Sequence, residues 1–193
     1  MAKATVSKQA VCKPLTTETW DDFEKLFGKR GACAGCWCMF FRCSRKEFNT
    51  NQGEGNRKAM LRIVKGGAAP GVLLYKDGEA VGWCAIAPRE EYVALTRSRV
   101  CAPVDGKPVW SVTCFFIAKQ HRKQGLSVAL LEAAVAFAKK NGAKIVEGYP
   151  QELSKPQADA FVYHGLASMF EKAGFREVAR RSPTRPVMRR EKL

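Results

Sequence analysis

Residues 111–149, SVTCFFIAKQHRKQGLSVALLEAAVAFAKKNGAKIVEGY, decide the fold. Val112 to Ile117 is rich in apolar and β-branched residues, and Ile145 to Tyr149 is a short run closed by Pro150. Both suit buried strands. Between them Leu126, Ala129, Leu130, Ala133 and Phe137 recur at the three-and-four spacing of one buried helical stripe. Glu132, Lys139 and Lys140 fall off that stripe, and Gly142 stands where a left-handed C-terminal cap is expected. A strand–helix–strand crossover of this kind usually joins a parallel pair.

The turn that opens the helix is Arg122-Lys123-Gln124-Gly125-Leu126-Ser127. Free backbone N–H groups and the positive end of the helix dipole meet two cationic side chains there. That combination is an anion site, suited to a phosphate or pyrophosphate. The turn is not a P-loop, because G-x-x-x-x-G-K-[ST] is absent. It is not a dinucleotide fingerprint either, because G-x-G-x-x-G is absent.

Outward from this unit the elements are coarser. A short strand is expected near Val11. Thr17 is placed to cap a helix through Phe27, with Trp20, Phe23 and Phe27 as its apolar face. A cysteine-rich loop and a polar, glycine-rich stretch from Asn49 to Gly55 come next. A helix is expected from Asn56 to Lys65, with Met60, Ile63 and Val64 inward. Val72 to Tyr75 and Ala80 to Ile86 flank Asp77-Gly78, a strong hairpin signal. Residues Gln151 to Tyr163 read as a loop beside the site, and a last strand is expected near Val187.

Composition bounds the function. A length of 193 residues fits a single domain with a sizeable core, taken here as residues 1–193. There is no internal repeat and no apolar run long enough to cross a membrane. MAKATVSKQAVCKP lacks the apolar centre of a signal peptide, which implies the cytoplasm and reduced thiols. The formal net charge is +15, yet the basic residues are spread over helices, turn and tail, with no nucleic-acid-binding motif. Nucleic acid is therefore an unlikely partner. Cys33, Cys36, Cys38 and Cys43 are closely spaced, but no second pair has knuckle-like spacing. No metal is expected, and packing of Trp37, Met39, Phe40 and Phe41 beside the site is the favoured reading. Cys84, Cys101 and Cys114 read as core.

The R-x-x-G-x-S turn, placed between a strand and a helix, resembles the [QR]-x-x-G-x-[GA] acetyl-CoA signature of the GNAT N-acetyltransferase superfamily. Ser127 is a mild departure in its last position. Leu166 to Phe175, LASMFEKAGF, resembles the family's later L-Y-x-K-x-G-F segment, and Gly82 to Tyr92 its central strand and exit. Gly35-Cys36-Trp37-Cys38-Met39-Phe40-Phe41-Arg42 is similar to a G-C-W-C-M-x-x-R stretch of small bacterial members. The resemblance implies an α/β fold, with a mixed, mostly antiparallel sheet flanked by helices and a strand–turn–helix acetyl-CoA site. It implies acetyl transfer to a primary amine of a small molecule or peptide by direct attack, and a homodimer is one possible assembly. Transfer of another acyl group, or a non-catalytic CoA-binding or polyanion-binding role, are the alternatives.

The resemblance also assigns residues. Phe115, Phe116 and Ile117 would offer backbone groups to pantetheine and thioester. Arg122, Lys123, Gln124, Gly125, Leu126 and Ser127 would hold the pyrophosphate. Phe170 stands where the family's usual proton-donating tyrosine would be. The thiolate then leaves unprotonated, or Ser168, Tyr163 or His164 substitutes. A protonated amine has no lone pair, so a base or a water chain is needed. Glu147, a carboxylate in an apolar strand, is the first choice; a structural pair with Arg or Lys is the competing reading. His164 is the second choice, ahead of Glu90 and Glu91.

Overall fold

The computed structural model describes residues 10–153 and 162–193. Most of the stretch expected as a loop from Gln151 to Tyr163 lies outside these. Among the described residues the strands are β1 (Val11–Pro14), β2 (Gly71–Lys76), β3 (Glu79–Pro88), β4 (Trp110–Ile117), β5 (Ile145–Gly148), β6 (Arg176–Arg180) and β7 (Pro186–Glu191). The helices are α1 (Trp20–Phe27), α2 (Arg45–Thr50), α3 (Glu54–Lys65), α4 (Val93–Thr96), α5 (Leu126–Lys140) and α6 (Ala167–Lys172).

The strands form one sheet in the order β1-β2-β3-β4-β5-β7-β6. Only β4 and β5 pair in parallel. The crossover through α5 is therefore the one read from the sequence. The β2–β3 hairpin turns on Asp77 and Gly78, both at positive φ, as a two-residue turn that matches strand twist requires. Gly142 follows α5 at φ +88, the expected left-handed cap.

Two apolar layers cover the sheet. On one face α5 and α6 pack on Val72, Leu74, Cys84, Ile86, Val112 and Phe115. On the other, α1 and α3 pack with the cysteine-rich loop on Leu73, Tyr75, Trp83 and Ala85. Trp20, Phe23 and Phe27 are buried as expected, and Phe23 meets Trp83 edge-on at 5.0 Å. The alternation along β2 and β3 is the period-two signature of a two-layered sheet.

Three local readings change. One 3-10 turn, Thr17–Thr19, precedes α1, and Thr19 Oγ1 accepts from the Thr16 N–H at 2.9 Å. Helix α2 replaces the start of the expected polar stretch. Its Ser44 and Glu47 close a capping box that was legible as S-x-x-E. The buried stripe of α5 is Leu126, Leu130, Leu131, Ala134, Val135 and Ala138, rotated from the expected one. This helix is apolar around most of its girth, so the sheet, not the pattern, selects the buried face.

Strand β4 carries a bulge. Ala85 pairs with Cys114 and Ile86 with Val112, which leaves Thr113 as the extra residue. Every later side chain is thereby moved to the opposite face. Phe115 and Ile117 turn to the α5 side, and Cys114 and Phe116 to the cysteine-loop side.

Strand β5 is held by close packing. A Cβ on Gly148 would lie 2.2 Å from Phe170 Cε1 and 2.7 Å from Cζ, and Phe170 is fully buried. Gly148→Ala should destabilise the fold by about 1–3 kcal/mol, the usual cost of overpacking. Chemical denaturation checks this, and a midpoint equal to the parent's would refute the packing.

Candidate active site

Parallel pairing of β4 with β5 runs from Trp110↔Val146 to Val112↔Gly148 and then stops. Pro150, two residues on, has no N–H with which to extend a ladder. Beyond Val112 the β4 edge is therefore without β5. The Phe115 N–H finds the Tyr163 carbonyl instead, at 2.6 Å. Ile117, two residues later, directs its N–H to the same edge.

A cavity of about 580 Å³ lies along this edge. It is lined by Phe115, Phe116, Ile117, Arg122, Lys123, Gly125, Leu126 and Ser127, eight of the nine residues expected to hold a cofactor. The ninth, Gln124, turns its side chain away: Oε1 accepts from Lys76 Nζ at 2.9 Å, and Nε2 donates to the Gln120 carbonyl at 3.3 Å.

The turn is shaped for an anion. Gly125 adopts φ +74 and ψ 0 directly before α5, so the N–H groups of the first turn point outward without a side chain over them. Lys123 is also left-handed, at φ +60. Nothing lies within 4 Å of the position a Gly125 Cβ would take. Arg122 Nε donates to the Ile117 carbonyl at 2.9 Å, which ties the turn to the end of β4. These features fit a phosphate-bearing cofactor. His121, also on the wall, was not foreseen; its Nδ1 is buried without a partner among the described residues.

The expected proton-transfer residues do not gather here. Glu147 is fully buried and lies outside the cavity lining. Its carboxylate accepts from Arg89 Nη1 at 3.1 Å, Arg189 Nε at 2.7 Å and the Tyr149 hydroxyl at 2.6 Å. Arg189 also grips Asp105 through two bonds of 2.8 and 3.0 Å, and Arg89 reaches the Cys101 carbonyl at 2.6 Å. The competing reading, a structural pair with arginine, is what the geometry displays at Glu147. The missed signal was the pair of arginines, each directly after or within a strand. Ser168 is exposed on α6 and does not line the cavity, although Leu166 and Met169 do.

His164 is buried between Phe41 and Tyr163, with ring centroids at 5.3 and 4.2 Å. Tyr163 and Gly165 line the cavity, but His164 does not. Burial, helped by the nearby Arg185 charge, pushes its pKa down to about 3. The imidazole is therefore neutral near pH 7 and a weak base there.

Cys33, Cys36, Cys38 and Cys114 share the cavity wall, so Cys114 is not simply core. Burial raises the thiol pKa of Cys38, and hydrogen bonding to Cys38 together with burial raises that of Cys36. Cys38 Sγ accepts from Trp83 Nε1 at 2.9 Å. Among the described residues no three His, Cys, Asp or Glu side chains converge as metal ligands, and no helix is long and apolar enough to cross a membrane.

Comparison with known proteins follows the geometry. The family model for the acetyltransferase (GNAT) family matches residues 37–161. Among solved structures, a GNAT-family acetyltransferase from Streptococcus agalactiae aligns with TM-score 0.57 at 12% identity, covering 96% of this chain and 97% of that one. PaiA N-acetyltransferase from Thermoplasma acidophilum, solved with coenzyme A, aligns with TM-score 0.53 at 12% identity, covering 95% and 99%. A GNAT-family acetyltransferase from Listeria monocytogenes aligns with TM-score 0.57 at 9% identity, covering 94% of each chain. At such identities the likeness is one of fold. No curated protein matches the chain by sequence.

Two predictions follow from the buried groups. Glu147→Gln leaves two buried guanidiniums under-compensated, so it should cost about 3–5 kcal/mol of stability. A full loss of kcat with an unchanged denaturation midpoint would return Glu147 to the role of base. His164 has a folded pKa of about 3 against an ordinary 6.5, so the folded state resists its protonation. Its contribution is complete above pH 6.5 and declines as pH falls from there toward 3. His164→Gln should flatten the melting temperature against pH across that window; an unchanged slope would exclude this cause.

Proposed function

The chain belongs to the GNAT acetyltransferase family, and on that premise we propose that it transfers the acetyl group of acetyl-CoA to a primary amine by direct attack. The observation that supports this best is the cavity itself. It joins the glycine turn at the start of α5 to the edge of β4 beyond its last pair with β5, and a linear cofactor with a pyrophosphate and a thioester needs both kinds of site.

In this reading the first-turn N–H groups of α5, with Arg122 and Lys123, bind the pyrophosphate. The freed edge of β4 from Phe115 to Ile117 aligns the pantetheine. The bound cofactor supplies an activated acetyl thioester. In this reading the Ile117 N–H stabilises the negative charge that develops on the carbonyl oxygen. Phe170 is fully buried against Gly148, so no phenol stands at the family's tyrosine position. The leaving thiolate is stable enough to depart and collect its proton from water, because thiol pKa values lie near ~8.5. Neither Glu147 nor Ser168 has a part in the proton transfer in this reading. The chain acts as a single catalytic domain.

Gly125→Val forces a β-branched side chain into φ +74 and fills the space in front of the helix. Acetyl-CoA affinity should fall roughly tenfold or more, about 1.4 kcal/mol. Calorimetry measures it, with release of free thiol as the activity readout. Unchanged affinity in a folded variant would remove the anion turn from the reading.

A further inference from the structure

The bulge at Thr113 divides the cavity. Ile117 and Phe115 face the α5 side with the anion turn, whereas Cys114 and Phe116 face the side of α1 and the cysteine-rich loop. The cavity lining includes both sets, so it wraps the β4 edge and has two lobes. If the first lobe holds the cofactor, the second is left for the acceptor. Its wall comprises Phe27, Phe40, Phe48, Phe116, Cys36 and Cys38.

Resting on the acetyltransferase reading, we propose that the acceptor is an aromatic amine that is uncharged at neutral pH. Five observations converge on this. The wall is built of aromatic rings and protonated thiols, which suit a flat, polarisable ring. Among the described residues no Asp or Glu lines the cavity. The nearest buried carboxylate by strand order, Glu147, is held by two arginines, and Glu91 is held by Arg42 at 2.6 Å. Arg45 already stands over the rings of Phe40 and Phe48, its guanidinium carbon 5.2 and 5.9 Å from their centroids. A second cation would meet repulsion there. The chain as a whole carries +15, which disfavours a polyamine further.

Charge and proton chemistry then agree. An alkylammonium would be desolvated without a counter-ion and would still need a base. His164 lies outside the cavity lining and is too weak a base at neutral pH to serve, and His121 on the wall stands at the anion turn, four residues before Gly125. The nitrogen of an aromatic amine shares its lone pair with the ring and is neutral at pH 7, so no prior deprotonation is required. The nitrogen lone pair forms the C–N bond, and the C–S bond breaks with its electrons passing to sulfur. The nitrogen then gives one proton, through water, to the thiolate, and the products are an anilide and the free thiol.

The test measures thiol release from acetyl-CoA with 4-methylaniline, benzylamine and spermidine at pH 7. Benzylamine keeps the ring but is an ammonium, so it separates charge from shape. We expect kcat/KM for 4-methylaniline to exceed both others by roughly tenfold or more, the scale at which a pocket discriminates. Arg45→Glu, at an exposed helix start, should raise the use of benzylamine while acetyl-CoA affinity stays unchanged. Acetyl-CoA binding by calorimetry separates the two levels. If acetyl-CoA binds but a charged amine is preferred, or none of the three is acetylated, the acceptor inference falls and the cofactor site stands. If acetyl-CoA does not bind, both fall.

Discussion

The structure depends on one constraint: a strand edge in the middle of a sheet cannot be left without hydrogen-bond partners. Strand β4 has β5 beside it for three residues and then loses it. Its remaining polar groups are met from elsewhere, by the Tyr163 carbonyl at Phe115 and by Arg122 at the Ile117 carbonyl. Both substitutes come from loops, and both loops line the cavity. The gap that makes room for a ligand is thus also what positions the segments around it. The same edge supplies fixed dipoles that ordinary side chains would offer less rigidly.

Below the gap the sheet is fastened by charge instead of by apolar packing. Arg89, Glu147 and Arg189 belong to neighbouring strands or their ends, and Tyr149 and Ser111 complete the cluster through a 3.0 Å hydroxyl contact. Burying such a group is expensive unless every partner is present. Here each guanidinium has further acceptors, Asp105 for Arg189 and backbone carbonyls for Arg89. Arg189 holds the Asp105 carboxyl down at about 2, so this pair persists until strongly acidic pH. The cluster joins the segment around residues 89–105 to β5 and β7. It fixes where the sheet parts without itself entering the cavity.

The cysteine-rich loop is likewise a scaffold. Gly31 cannot carry a side chain, because a Cβ would lie 2.3 Å from Trp37 Nε1. Gly35 is closed upon by Gly53, whose N–H donates to the Gly35 carbonyl at 3.0 Å. These contacts press Trp37 into the core and leave Cys33, Cys36, Cys38 and Phe40 on the cavity wall. Packing accounts for the loop, and its place against β4 gives that side of the cavity its aromatic character.

What could be read from the sequence by itself was local. The spacing in 111–149 determined strand, turn, helix and strand, because periodicity and caps act within a few residues. Gly125 and its neighbours marked the anion turn for the same reason, and eight of the nine expected cofactor residues line one cavity. The partners of Glu147 were not legible: Arg89 lies 58 residues before it and Arg189 lies 42 after it, and only strand order brings them together. The bulge at Thr113 was also hidden, since it is defined by pairing with β3, yet it decides which β4 side chains face α5 and which face the cysteine-rich loop. Short-range chemistry was therefore set by the chain, and the sharing of charge and the two-sided cavity were set by tertiary contacts, because both depend on residues far apart in sequence that only the sheet brings within reach.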